Sequence, residues 1–203
     1  MGDDCCADCG SQTTPFRAVL WTALAINAAM FVVEVGLGVA AGSSALQADA
    51  LDFLGDAANY AMSLAVVGLA LSWRARAAIL KGSTMAVFGF WVIANAIWHS
   101  VIGTVPFPVT MSVVSVIAMI ANGVVALMLF RFRSGEANMR SVWLCARNDV
   151  IGNIAVLLAA FGVFGTGERW PDTVVALIMA GLALTSAWNV NRQAFGELRA
   201  AHG

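Results

Sequence analysis

Gln47-Ala48-Asp49-Ala50-Leu51-Asp52-Phe53-Leu54-Gly55-Asp56 places three carboxylates within eight residues of an otherwise apolar run. Val39 to Leu46 precede it and Ala57 to Ser72 follow, both hydrophobic enough for lipid. A carboxylate at membrane depth is costly and marks a functional position by default. On a helix, Asp52 and Asp56 stand about 40° apart and one turn apart along the axis, so they share a face. Like charges that close, in a low dielectric, need a proton or a cation between them. One reading is a loop or water-filled crevice holding ordinary acids, but Gly55 is the only helix breaker in the stretch. The other reading is a helix that carries half of a metal site.

The composition extends this outward. The chain has 203 residues, 60% hydrophobic and 11% charged, with a mean hydropathy of +0.82. A soluble domain carries roughly 25% charged residues, so the expected class is an all-α integral membrane protein. The net charge of −1 says nothing about nucleic acid, and no basic run or aromatic-interleaved patch argues for such a partner. Met1 to Thr14 is polar and acidic, unlike a cleaved signal.

Six segments of about 20 residues, each long enough to cross a hydrocarbon core, are expected near 18–41, 45–73, 82–105, 109–130, 141–164 and 172–191. Gly42-Ser43-Ser44, Pro106-Phe107-Pro108 and the stretch from Gly165 to Pro171 turn the chain. The division is a cytoplasmic Cys-containing tail (1–15), a six-helix transport domain (16–193) and a short cytoplasmic tail (194–203). With both termini inside, Arg17, Arg74, Arg76, Lys81, Arg131, Arg133, Arg140, Arg192 and Arg199 all fall on the cytoplasmic side. Arg169 alone lies in an outer turn, and Arg147 lies within the fifth span. The expected location is the cell membrane, multi-pass, the inner membrane if the source is bacterial.

The fifth segment holds Cys145-Ala146-Arg147-Asn148-Asp149. Cys145 and Asp149 repeat the four-residue spacing of Asp52 and Asp56. By helix rise, all four reach the middle third of a bilayer. Two such pairs on facing helices would supply four ligands, suited to a tetrahedral ion such as zinc. Cys145 also reads as a small buried hydrophobe. Glu34 and Asp49 project to the outer third of their helices, as a vestibule, a proton relay or structural hydrogen-bonding groups. His99 reads as an interface residue, and Asn27, Asn59, Asn122 and Asn153 as hydrogen-bonding glue between helices. Cys5, Cys6 and Cys9, with Asp3, Asp4 and Asp8, form a candidate accessory site for a soft metal ion in a reducing compartment; incidental cysteines in a floppy tail are the alternative.

The stretch Gly42 to Asp52 running on to Asp56, Ser141 to Cys145 running on to Asp149, and Trp170-Pro171-Asp172 leading to Ser186-Ala187-Trp188 resemble the cation diffusion facilitators, six-helix metal/proton antiporters. The resemblance implies a transport site at Asp52, Asp56, Asp149 and the position of Cys145, where family members often have His. It also implies a homodimer, with Gly82, Ala86 and Gly89 offering close approach on the third helix. Two features usual in the family have no counterpart here, the cytoplasmic C-terminal domain and a His-rich loop after the fourth helix. A membrane-only member is therefore expected.

The implied function is efflux of a divalent transition metal, Zn2+ or Cd2+ first, with Co2+, Ni2+ and Fe2+ open, and with no permanent cofactor and no enzymatic activity. Metal needs the ligands deprotonated, so metal and protons compete for one site. An intramembrane aspartyl protease would need one acid from each of two helices, and this chain lacks a Gly-x-Gly-Asp stretch. A metal-permeable channel would pass metal without a proton gradient.

Overall fold

The computed structural model describes residues 7–65, 71–131 and 137–200, with the side chains of 7–14, 71, 72, 74, 137–148, 197 and 200 outside that set. Cys5, Cys6 and Cys9 of the expected accessory site fall outside the described residues or side chains, as do Cys145 and Arg147. Every regular element described is a helix: α1 (Ala7–Ala41), α2 (Ser44–Ala65), α3 (Leu71–Ile102), α4 (Pro108–Phe130), α5 (Ala137–Thr166) and α6 (Trp170–Ala200). Five contain stretches long and apolar enough to cross a membrane: Pro15–Ala41, Ala75–Ile102, Pro108–Phe130, Asp149–Thr166 and Trp170–Gly196. The exception is α2, which carries the three aspartates.

Position in the bundle explains why α2 differs. It touches all five other helices, and its first eight residues, Ser44 to Leu51, are all buried. Leu46, Leu51, Val92, Met111, Val156 and Ala180 belong to the core packed around it. The other helices each turn an apolar face outward, through residues such as Val87, Leu127, Phe164 and Leu182. Those faces suit lipid contact, whereas the first half of α2 is enclosed by protein. The chain is a multi-pass membrane protein.

Helix ends follow backbone chemistry more than apolar runs. The third helix begins at Leu71, well before the expected apolar start near 82. Arg, Lys and Ala are good helix formers, so Arg74 to Lys81 extend the helix beyond its apolar run. At the opposite end, α1, α3 and α5 each stop one residue before a glycine with positive φ: Gly42 (65°), Gly103 (71°) and Gly167 (68°). A helix commonly ends this way, because only glycine enters the left-handed region without a Cβ penalty.

Two glycines expected to serve a dimer contact are occupied within the chain. Gly82 and Gly89 are both buried, and a Cβ on either would strike α6, at Asn191 or at Leu184. They let α3 and α6 pack closely in one subunit, so they offer no free surface to a second. Gly162 plays a similar part between α5 and α6. A Cβ there would lie 2.8 Å from Pro171 Cβ, and the Pro171 ring, tied to its own backbone, cannot swing aside. Gly162→Val is expected to cost about 1–3 kcal/mol, as overpacking does, read as a lower melting temperature in detergent. An unchanged melting temperature would mean that the two helices part there freely.

Candidate metal centre

The carboxyl groups of Asp56 on α2 and Asp149 on α5 lie close enough to interact across the two helices. Asp56 Oδ2 also accepts from Tyr60 Oη at 2.8 Å, one turn along α2. Asp149 Oδ2 is buried without a hydrogen-bond partner. Asp52 lies one turn from Asp56 toward the α2 N-terminus, with its Oδ2 3.7 Å from where a Cβ on Gly152 would sit. Asp52 thus lies against α5 at Gly152. Each of these acids sits where the four-residue spacing and the α2–α5 contact put it.

The structure brings Asp56 and Asp149 together and sets Asp52 beside the next turn of α5. Among the described residues no three His, Cys, Asp or Glu side chains converge as a metal-ligand set. The side chain of Cys145 is outside the described set, although its backbone lies in α5, one turn before Asp149. Glu34 and Asp49 form a separate acid pair between α1 and α2.

Several polar contacts depart from the expected roles. Asn27 and Asn153 do not bridge helices: their side-chain amides donate to Ala23 O and Asp149 O of their own helices, at 2.8 and 2.9 Å. Asn59 does bridge, accepting from Lys81 Nζ on α3. Lys81 sits close enough for its charge to act on Asp56, so a residue expected between the second and third spans lies beside the acid cluster. Asn95 Nδ2 donates to Gln47 Oε1 at 2.8 Å, a second α3–α2 link. His99 Nδ1 contacts Thr104 Oγ1 at 2.7 Å near the end of α3.

At the end where the three glycine turns lie, one ion pair joins all of them. Arg169 is 6% exposed and Asp172 0%, with Nη2 and Oδ2 3.5 Å apart. The Arg169 guanidinium donates to Gly42 O at 2.7 Å, Ser44 Oγ at 3.0 Å, and Thr104 O at 2.9 Å. Asp172 accepts from Ser43 Oγ at 2.6 Å and from the backbone amides of Ser44 and Ala45 at 3.0 and 3.1 Å. It thereby caps α2 from another helix, a favourable place for a negative charge. Burial pulls the Arg169 guanidinium below its ordinary value, and the Asp172 carboxylate opposes that shift.

A model of the cation efflux transmembrane domain matches residues 20–198, spanning all six helices. The chain belongs to the cation efflux family. Among its relatives in that family is the zinc transporter ZitB of Pectobacterium atrosepticum, 30% identical over 193 residues, covering 88% of this chain and 60% of that protein. The metal cation efflux system protein CzcD of Cupriavidus metallidurans is 26% identical over 178 residues, covering 82% and 56%. A cadmium, cobalt and zinc/H(+)-K(+) antiporter of Bacillus subtilis is 24% identical over 190 residues, covering 87% and 61%. The chain thus spans about three-fifths of the length of these cation efflux relatives.

Proposed function

We propose that this chain carries divalent transition-metal ions, zinc or cadmium first, across a membrane in exchange for protons. The observation that carries the reading is the approach of Asp56 and Asp149, two carboxyl groups from different helices inside the bundle with Asp52 alongside. Two touching carboxyl groups repel unless a proton lies between them, and a divalent ion can replace that proton. Asp52 and the Cys145 thiolate complete a four-ligand set, the thiolate favouring softer ions over magnesium or manganese. The names of the relatives, which include zinc, cadmium and cobalt, support the same substrate class. With the charge pattern of the loops, the two termini are assigned to the cytoplasm, so efflux runs from the termini toward the glycine turns. A homodimer, as the family resemblance implies, is part of the proposal, its contact lying outside Gly82 and Gly89. The Cys5, Cys6 and Cys9 tail is proposed to gather metal for the membrane site.

The test is zinc flux in proteoliposomes with a pH dye inside, across a panel of metals. Proton movement opposite to zinc supports exchange, whereas zinc flux that ignores a proton gradient means a channel. Cys145→Ser puts a far less acidic oxygen in place of the thiol. Zinc and cadmium flux should both fall, cadmium more, and Cys145→His should recover zinc better than cadmium. An unchanged zinc-to-cadmium ratio in Cys145→Ser removes Cys145 from the ligand set.

A further inference from the structure

Glu34 is 0% exposed, and neither of its carboxyl oxygens meets a hydrogen-bond donor. Asp49 is 1% exposed, and its Oδ2 also lacks a donor. Helix register explains why these two meet. At Gly38 a Cβ would lie 3.1 Å from both Leu46 Cβ and Gln47 Cγ, so α1 and α2 pack most closely there. Because the helices run antiparallel, one turn back along α1 to Glu34 corresponds to just under one turn forward along α2, to Asp49. The two carboxyl groups are close enough to interact across the α1–α2 contact. An ionised carboxylate only accepts hydrogen bonds, so a hydrogen shared between the two groups would satisfy both.

This pair is distinct from the Asp56–Asp149 contact. Asp49 precedes Asp56 by seven residues, about 10 Å along the helix axis, and Glu34 is on a helix that supplies no proposed metal ligand. Resting on the exchange reading above, we infer that Glu34 and Asp49 together hold the exchanged proton, in a seat separate from the metal ligands. Metal arriving at Asp52, Asp56 and Asp149 adds positive charge beside the seat, and the shared proton leaves as H+, with both carboxyl groups becoming carboxylates. When the metal departs, one proton re-enters and restores the hydrogen-bonded pair. The charged groups facing the seat fit this exchange. Asp52 acts on Glu34, and the Asp49 charge reaches Asp52 and Asp149. Lys81 of α3 lies toward Asp56, α4 has no charged residue between Pro108 and Phe130, and the Asp172 carboxylate of α6 is engaged at the α2 N-terminus.

The experiment uses the full chain, reconstituted, with Glu34→Gln and Asp49→Asn made separately. Zinc binding is titrated calorimetrically in buffers of different ionisation enthalpy, which counts protons released per zinc, and flux is followed with an internal pH dye. Each variant should bind zinc at the wild-type stoichiometry, release about one proton fewer per zinc, and move zinc down its gradient with little proton counterflow. Glu34→Asp, which keeps a carboxyl group, should retain counterflow. Proton release and counterflow equal to wild type in both variants overturn the separate seat. Loss of zinc binding in either variant, with the bundle intact by size exclusion, also overturns it, because the pair would then belong to the metal ligands. Absence of counterflow in the wild-type protein is a different result, and it defeats the exchange reading itself.

Discussion

Asp56→Asn and Asp149→Asn are each expected to stop metal flux while leaving the bundle folded. Asparagine keeps the size of the side chain and removes its charge. The Asp56–Asp149 contact survives as an amide donating to a carboxylate, so the repulsion between two acids is gone. Tyr60 still reaches an oxygen at position 56. Thermal stability should therefore match the wild type or exceed it. Metal binding should not survive, because a neutral amide oxygen is a weak ligand for an ion that must shed its water. Even disturbing the partners of metal ligands costs about 10–100-fold in affinity, and removing a ligand should cost more. The check is zinc flux beside a melting curve on the same preparation. Near-normal flux in either variant would take that residue out of the site.

Arg169→Met is expected to be the most destabilising single change outside the acid cluster. It leaves Asp172 buried and charged without its cation, and it withdraws donors from Gly42 O and Thr104 O. Breaking a buried pair on one side costs about 3–5 kcal/mol. Asp172→Asn should cost less, since the amide oxygen still accepts from the α2 backbone. The double variant should be milder than the sum of the singles, because neither partner is then left uncompensated. Unfolding in detergent, followed by circular dichroism for all four proteins, checks the order. Additive losses would mean that the two residues act independently.

The helices and the facing acids could be read in the sequence because periodicity reports which residues share a face. That Asp52 and Asp56 share a face follows from that rule; that α5 brings Asp149 against them does not, because periodicity says nothing of which helices face one another. What it does not report is which way a long polar side chain turns. Asn27 and Asn153 have carbonyls of their own helices within reach, and they use those instead of crossing to a neighbour. Lys81 reads as a loop charge when the apolar run sets the helix limit, but α3 extends well past its run. Tyr60 follows Asp56 by four residues, so the same spacing that found the acids also carried this partner. Arg169 had a signal as well. It is the one loop cation at the end of the bundle opposite the others, and such an exception is tolerated when the charge is buried and paired.

That guanidinium has a mechanical side. It fastens three inter-helix turns to one another at a single end of the bundle, so a rigid tilt of the helices would take that end as its pivot. A helix of 20 residues is about 30 Å long, and tilting it by about 10° about such a pivot carries its far end through about 5 Å. The leverage runs toward the termini, where no comparable knot appears among the described residues. A passage can thus open at the termini without breaking any contact at Arg169, whereas opening among the turns means pulling that knot apart.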